Sequence, residues 1–120
     1  MRLRPETLHH YVERARPILM DVARGNRERN FITYEDLMDE MGGPGRGYIG
    51  EVLEEVSCSE DDRDHPLLSA LVIKKNKRSP SYGFWYMRCL PERVKNSSDE
   101  EKRVFWLQEC DKVWYFWQHH

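Results

Sequence analysis

"LLSALVIKKNKRSPSYGFWYM", residues 67–87, is the stretch whose reading decides the fold. Residues 67–73 are an apolar run of strand length. Residues 74–82 mix cations with Asn, Ser and Pro, and residues 83–87 are aromatic. An apolar run, a turn and a second run rich in β-formers predict a two-stranded hairpin. Its tip is basic, with Lys74, Lys75, Lys77 and Arg78 in "KKNKR".

Upstream, "FITYEDLMDEMGG" predicts a short helix. Thr33 caps it, Asp36 stands three residues on in a capping-box-like position, and Tyr34, Leu37, Met38 and Met41 form its apolar side. Gly42, Gly43, Pro44 and Gly45 end that helix, and "RGYIGEVLEEVS" predicts the next, with Ile49, Val52, Leu53 and Val56 facing inward. Helix, glycine-containing turn, helix is the skeleton of a helix-turn-helix. Followed by a hairpin, it has the element order of a winged helix. "SEDDRDHP", residues 59–66, reads as an acidic loop between the two parts.

Two further helices flank this unit. Leu8, Val12, Ala15, Leu19 and Val22 recur at helical spacing and predict a helix over residues 6–23. Pro17 predicts a kink or break inside it, and Gly25 a stop. "NSSDEEKRVFWLQECDKVWYFW" predicts a closing helix with a Ser98–Glu101 capping box. Asp99, Glu100 and Glu101 fall in its first turn, where the helix dipole favours anions. Its stripe is Trp106, Cys110, Val113 and Trp117, widened by Leu107 and Trp114. The expected architecture is α+β: one winged-helix-like domain over residues 1–120, with the N-terminal and C-terminal helices packed together.

Composition narrows the function classes. The 120 residues hold 19 basic and 21 acidic side chains, so net charge makes no case for nucleic acid and only the placement of cations can. Cys58, Cys89 and Cys110 are odd in number and widely spaced. They predict neither a disulfide framework nor a zinc module, and fit a reducing compartment. No apolar stretch has membrane-spanning length, and no signal-peptide pattern is present. The expectation is a cytoplasmic protein without membrane contact.

The cations at the hairpin tip, Lys74, Lys75, Lys77 and Arg78, suit phosphate contacts. Arg46 and Gly47 open the second helix of the pair, the end that approaches a groove. Glu51, Glu54 and Glu55 farther along exclude a helix lying flat on DNA. Tyr48 and Tyr82 stand beside cations and turns, where an aromatic can stack on a base. Trp85, Tyr86, Trp106, Trp114 and Trp117 are expected in the core. Chemistry has little support. Cys58 and His65 share a polar segment with nothing to order them as a nucleophile pair. The lysine-bearing strand carries no acid for a metal nuclease. His9 and His10 are adjacent and diverge on a helix. No cofactor or metal is expected.

Residues 31–85 resemble the winged-helix-type domain of DNA alkylguanine transferases and the non-enzymatic alkyltransferase-like proteins. That family opens with T-Y-G-E-L-A, continues through a P-R-A-V-G-R-A-L helix, and reaches P-I-L-V-P-C-H-R-V before a glycine-rich turn. "ITYEDLMDEMGG", "GRGYIGEVL", "HPLLSALVIKK" and "SYGFW" follow the same order, with Thr33, Tyr34, Gly50, Leu53, Pro66, Leu67 and Leu68 at matching positions. The resemblance implies duplex DNA binding, with Gly47 or Arg46 at the family's intercalating arginine. It also excludes alkyl transfer, because Leu71, Val72 and Ile73 stand where the family has Cys, His and Arg. The chain is also similar to small proteins of microbial mobile elements that share a "PLLSALVV-K" strand, a P-x-x-G-F turn and an aromatic closing helix.

The expected function is noncatalytic binding of nucleic acid, duplex DNA in particular, with modest sequence specificity. The alternative is a protein-interaction module of a mobile-element or defence-associated system, docking through the acidic helix face and the closing helix. In that reading Trp114 and Trp117 meet a partner or a second copy. A third reading is a small enzyme or toxin using Cys58 and His65.

Overall fold

The computed structural model describes residues 2–120. Its first helix, α1, spans Pro5–Ala23. Pro5 opens the helix, where its missing N–H breaks no bond. Pro17 does not break it. Pro17 is exposed, and so is Glu13, whose carbonyl loses its partner; water can serve that carbonyl. Gly25 follows with a positive φ of 77°.

A two-residue strand, β1 (Ile32–Thr33), leads directly into α2 (Tyr34–Met41). Thr33 caps α2, its hydroxyl accepting from the Asp36 N–H at 3.1 Å. The turn to α3 needs glycine at Gly43. Its φ is 138°, and a Cβ there would lie 2.7 Å from the Tyr11 hydroxyl oxygen. α3 then runs over Arg46–Asp61. It is longer than its apolar pattern indicated, so Glu60 belongs to the helix and not to an acidic loop. At 1% exposure, Glu60 is among the most buried side chains of the chain.

The hairpin is where structure and sequence part. Leu68–Leu71 forms a 3₁₀ helix, and only Val72–Ile73 is strand, β2. β2 pairs in parallel with β1, Ile32 opposite Val72 and Thr33 opposite Ile73. The predicted returning strand over residues 83–87 is instead a 3₁₀ helix, Tyr82–Tyr86. Its burial shows why. Phe84 and Met87 are buried, a spacing of three, where a half-buried strand needs a spacing of two. The Ser81 N–H is donated to the Tyr34 hydroxyl at 2.8 Å and not to a ladder. The α+β class therefore holds, but the two-stranded antiparallel hairpin of a winged helix is replaced by a tight basic turn.

After α4 (Glu92–Lys95), α5 spans Asp99–Gln118 with the full Ser98–Glu101 capping box. Trp106, Cys110, Val113 and Trp117 are buried along it as expected, whereas Leu107 is exposed. α1 and α5 meet, with Gln118 Nε2 donating to the Ala23 carbonyl at 3.5 Å. Trp106 also meets the buried 67–72 segment. Its indole N–H donates to the Ala70 carbonyl at 2.8 Å, and Phe31 stacks on it at 5.8 Å.

The cysteine reading needs correction. Cys58 on α3 and Cys89, 31 residues later, form a disulfide with Cα atoms 5.5 Å apart. Packing of α3 against the segment after Tyr86 brings them together, which spacing alone could not reveal. The cysteine case for a reducing compartment falls with it. Among the described residues, no helix is long and apolar enough to cross a membrane.

Candidate nucleic-acid interface

The basic turn satisfies its own backbone. Lys74 N–H donates to the Ser79 carbonyl at 3.0 Å, Lys77 N–H to the Lys74 carbonyl at 3.3 Å, and Ser79 N–H to the Lys77 carbonyl at 2.9 Å. Pro80 is buried behind it. Just beyond, the Tyr34 hydroxyl holds the chain at Ser81; burial pushes the Tyr34 phenol pKa up. With the turn closed internally, Lys74, Lys75, Lys77 and Arg78 are all exposed to solvent.

α5 adds two cations that sequence reasoning missed. Its capping box fixes where the helix starts, and the docking of α5 on the Leu68–Leu71 segment brings Lys102 and Arg103 beside the turn. Arg103 Nη1 donates to the Arg78 carbonyl at 3.5 Å, and its guanidinium lies 6.0 Å from the Trp106 ring. Lys102 Nζ donates to the Ser97 carbonyl at 3.1 Å. Between turn and helix runs an open groove of about 380 Å³, walled by Lys74, Lys77, Lys102 and Arg103 with Trp85 and Trp106. Asp99 is the one acid on its lining among the described residues. The signal for the missing pair was present: "EEKR" puts Lys102 and Arg103 on consecutive positions just after a cap.

Grouping separates this cluster from the other cations. Arg16, Arg27, Arg46, Arg63, Arg88, Lys95 and Lys112 each face a carboxylate. Among the described residues, Lys74, Lys75, Lys77, Arg78, Lys102 and Arg103 form no ion pair. Arg78 instead lies 5.8 Å from the Phe31 ring centroid. Arg2, Arg4, Arg14, Arg24, Arg29 and Arg93 also form no ion pair among the described residues, but none of them lines the groove.

The other expected contacts fall differently. Arg46 is exposed but joined to Glu35 at 3.2 Å. Gly47 is exposed in the first turn of α3 with open space around its Cα, and Tyr48 is half-buried on the same turn. None of the three lines the groove. Tyr82 does belong to the basic side. It is exposed, and its phenol pKa is raised by a hydrogen bond with Tyr86, while the Lys102 charge opposes that rise. Tyr86, expected in the core, is exposed beside it.

The acidic face of α3 is engaged internally. Arg88 meets Glu54 at 3.6 Å and Glu55 at 3.0 Å, and Glu51 accepts from the Leu3 N–H at 3.0 Å. Trp117 is buried as expected for the core, not open to a partner as the protein-interaction alternative requires, and Arg24 lies 5.2 Å from its ring centroid. Trp114 donates its indole N–H to the Asn30 carbonyl at 3.1 Å and packs on Phe31.

The thiols offer no nucleophile. Cys58 is locked in the disulfide, and burial pushes the Cys110 thiol up to about 12. His65 Nδ1 sits 2.9 Å from Glu60 Oε1, a part-buried pairing that engages the imidazole with Glu60 and not with Cys58. Leu71 is fully buried. A scan of protein-family models matches no family to this chain, and searches of curated proteins and of solved structures find no match.

Proposed function

We propose that this protein is a noncatalytic nucleic-acid-binding domain whose contact surface is the turn at residues 74–78 together with Lys102 and Arg103. One observation carries the reading: six cations from two elements gather in and around one groove, and none is paired with a carboxylate among the described residues. Phosphates are the natural counter-charge for such a cluster, and their binding releases counterions. The part of the winged-helix plan that supports it is the α2–α3 pair followed by a basic projection after β2. The grounds for a groove-reading helix are weaker, because Arg46 is engaged by Glu35 and Glu51, Glu54 and Glu55 occupy the polar side of α3. The contacts expected are therefore backbone contacts with modest sequence specificity.

The test is oligonucleotide binding across a salt titration. Replacing Lys74, Lys77, Lys102 and Arg103 with alanine is expected to weaken binding for all sequences. It should also flatten the dependence of log K on log salt, by about 0.7–0.9 for each phosphate no longer neutralised. An unchanged slope removes this surface from the mechanism. A second reading, a protein contact, is favoured by the outer side of α5. There Val104, Leu107 and Tyr115 are exposed on one helical face. Sedimentation of a Leu107→Lys, Tyr115→Lys variant tests it, and a mass identical to the parent protein's counts against self-association.

A further inference from the structure

Two tyrosines beside the groove stand out. Tyr82 is 73% exposed and Tyr86 59%, at the two ends of the Tyr82–Tyr86 3₁₀ helix. Their hydroxyls are 2.8 Å apart and their ring centroids 4.6 Å apart at 37°. Phe84 between them is buried and anchors the segment, and Trp85 forms the adjoining wall of the basic groove. Large apolar rings held in water are costly to leave uncovered, and rings already held in place lose little freedom on binding.

Resting on the nucleic-acid reading above, we infer that Tyr82 and Tyr86 form a stacking platform for unpaired bases, so that the ligand of the basic groove is a single-stranded nucleic acid. The two parts of the surface divide the work by chemistry. Lys74, Lys77, Lys102 and Arg103 meet the phosphates along the groove. Tyr82 and Tyr86, with the half-buried Trp85 preceding Tyr86 in the chain and lining the groove, meet the base faces. In a duplex the base faces are occupied by neighbouring pairs. A duplex could use the cations but would leave the tyrosine rings facing sugar and phosphate. Every base has a face, so such a platform gives tolerance to sequence rather than readout.

The experiment compares three labelled ligands by fluorescence anisotropy: a short oligothymidylate, an abasic strand of the same phosphate count, and a duplex of the same length. The parent protein is expected to bind oligothymidylate about tenfold more tightly than the abasic strand. Tyr82→Ala and Tyr86→Ala should erase most of that preference and leave duplex and abasic binding unchanged, while Tyr82→Phe and Tyr86→Phe keep it. Both positions are exposed, and circular dichroism verifies that each variant is folded. Equal binding of oligothymidylate and abasic strand, with both abolished on replacing the four groove cations, overturns the stacking inference and leaves the basic surface standing. Binding of none of the three ligands overturns both.

Discussion

The C-terminal half of α3 and the turn at residues 74–78 treat charge in opposite ways. On α3, Glu60 is buried and met by Arg16, His65 and Arg63, and Glu54 and Glu55 are held by Arg88. At the turn, four cations and two more from α5 stand with no carboxylate paired to any of them among the described residues. A net charge of −2 conceals both conditions. Charge that is answered within the chain contributes to folding. Charge left unanswered is available to something outside it, and the two kinds should respond differently to mutation, salt and reductant.

The largest difference is expected at Glu60. Glu60→Ala leaves the Arg16 guanidinium beside an emptied pocket, and breaking a buried pair in this way costs about 3–5 kcal/mol. The Arg16 side chain is 27% exposed and regains some water, which favours the lower end. Urea unfolding measures the cost. A variant as stable as the parent would show that the Glu60 cluster is no more structural than the turn.

The disulfide sharpens the same contrast, because Cys58 lies two residues from Glu60 on α3. Cross-links typically contribute about 2–4 kcal/mol by restricting the unfolded chain. Melting with and without reductant should reveal a drop of that size, absent in a Cys58→Ala, Cys89→Ala variant. Binding at the basic groove should disappear only when the domain itself melts.

What the sequence made legible follows the same division between local and distant causes. Caps and stripes are local, so Thr33 with Asp36, Ser98 with Glu101, and the stripe from Trp106 to Trp117 could all be read. The parallel pairing of β1 and β2 joins two residues to two others far along the chain, too short for any periodicity to register. The 3₁₀ helix at Tyr82–Tyr86 looked like a strand because consecutive aromatics satisfy β propensity without showing which spacing is buried. The candidate site was half legible. The turn cations were visible as a run, but Lys102 and Arg103 join them only through the docking of α5. Arg46 looked free because its partner, Glu35, lies on another helix.

Arg88 offers a smaller test on the answered side. It bridges Glu54 and Glu55, but more than half of its side chain is in water. Surface pairs of this kind contribute about 0–1 kcal/mol, so Arg88→Ala should cost no more than that in urea unfolding. Its backbone N–H, which donates to Glu54 at 2.8 Å, survives the substitution. A loss of several kcal/mol would mean that Arg88 is structural in the way Glu60 is.

The smallest effect on stability, and the only one expected to have the opposite sign, belongs to the turn. Lys74 and Lys77 are exposed, bridge to each other through the backbone, and share their groove with Lys102 and Arg103. Like charges gathered in this way repel, and no carboxylate pairs with them among the described residues to offset the repulsion. Lys74→Ala with Lys77→Ala removes side chains without touching the backbone bonds that close the turn. The change in stability should stay within about 0.5 kcal/mol. It should favour the variant at low ionic strength, and the gain should vanish as salt shortens the Debye length from about 30 Å at 0.01 M to about 3 Å at 1 M. Thermal melts across that range measure it. If the variant is instead less stable at every salt concentration, the lysines are holding the turn together, and the distinction between answered and unanswered charge fails at the place where it matters most for binding.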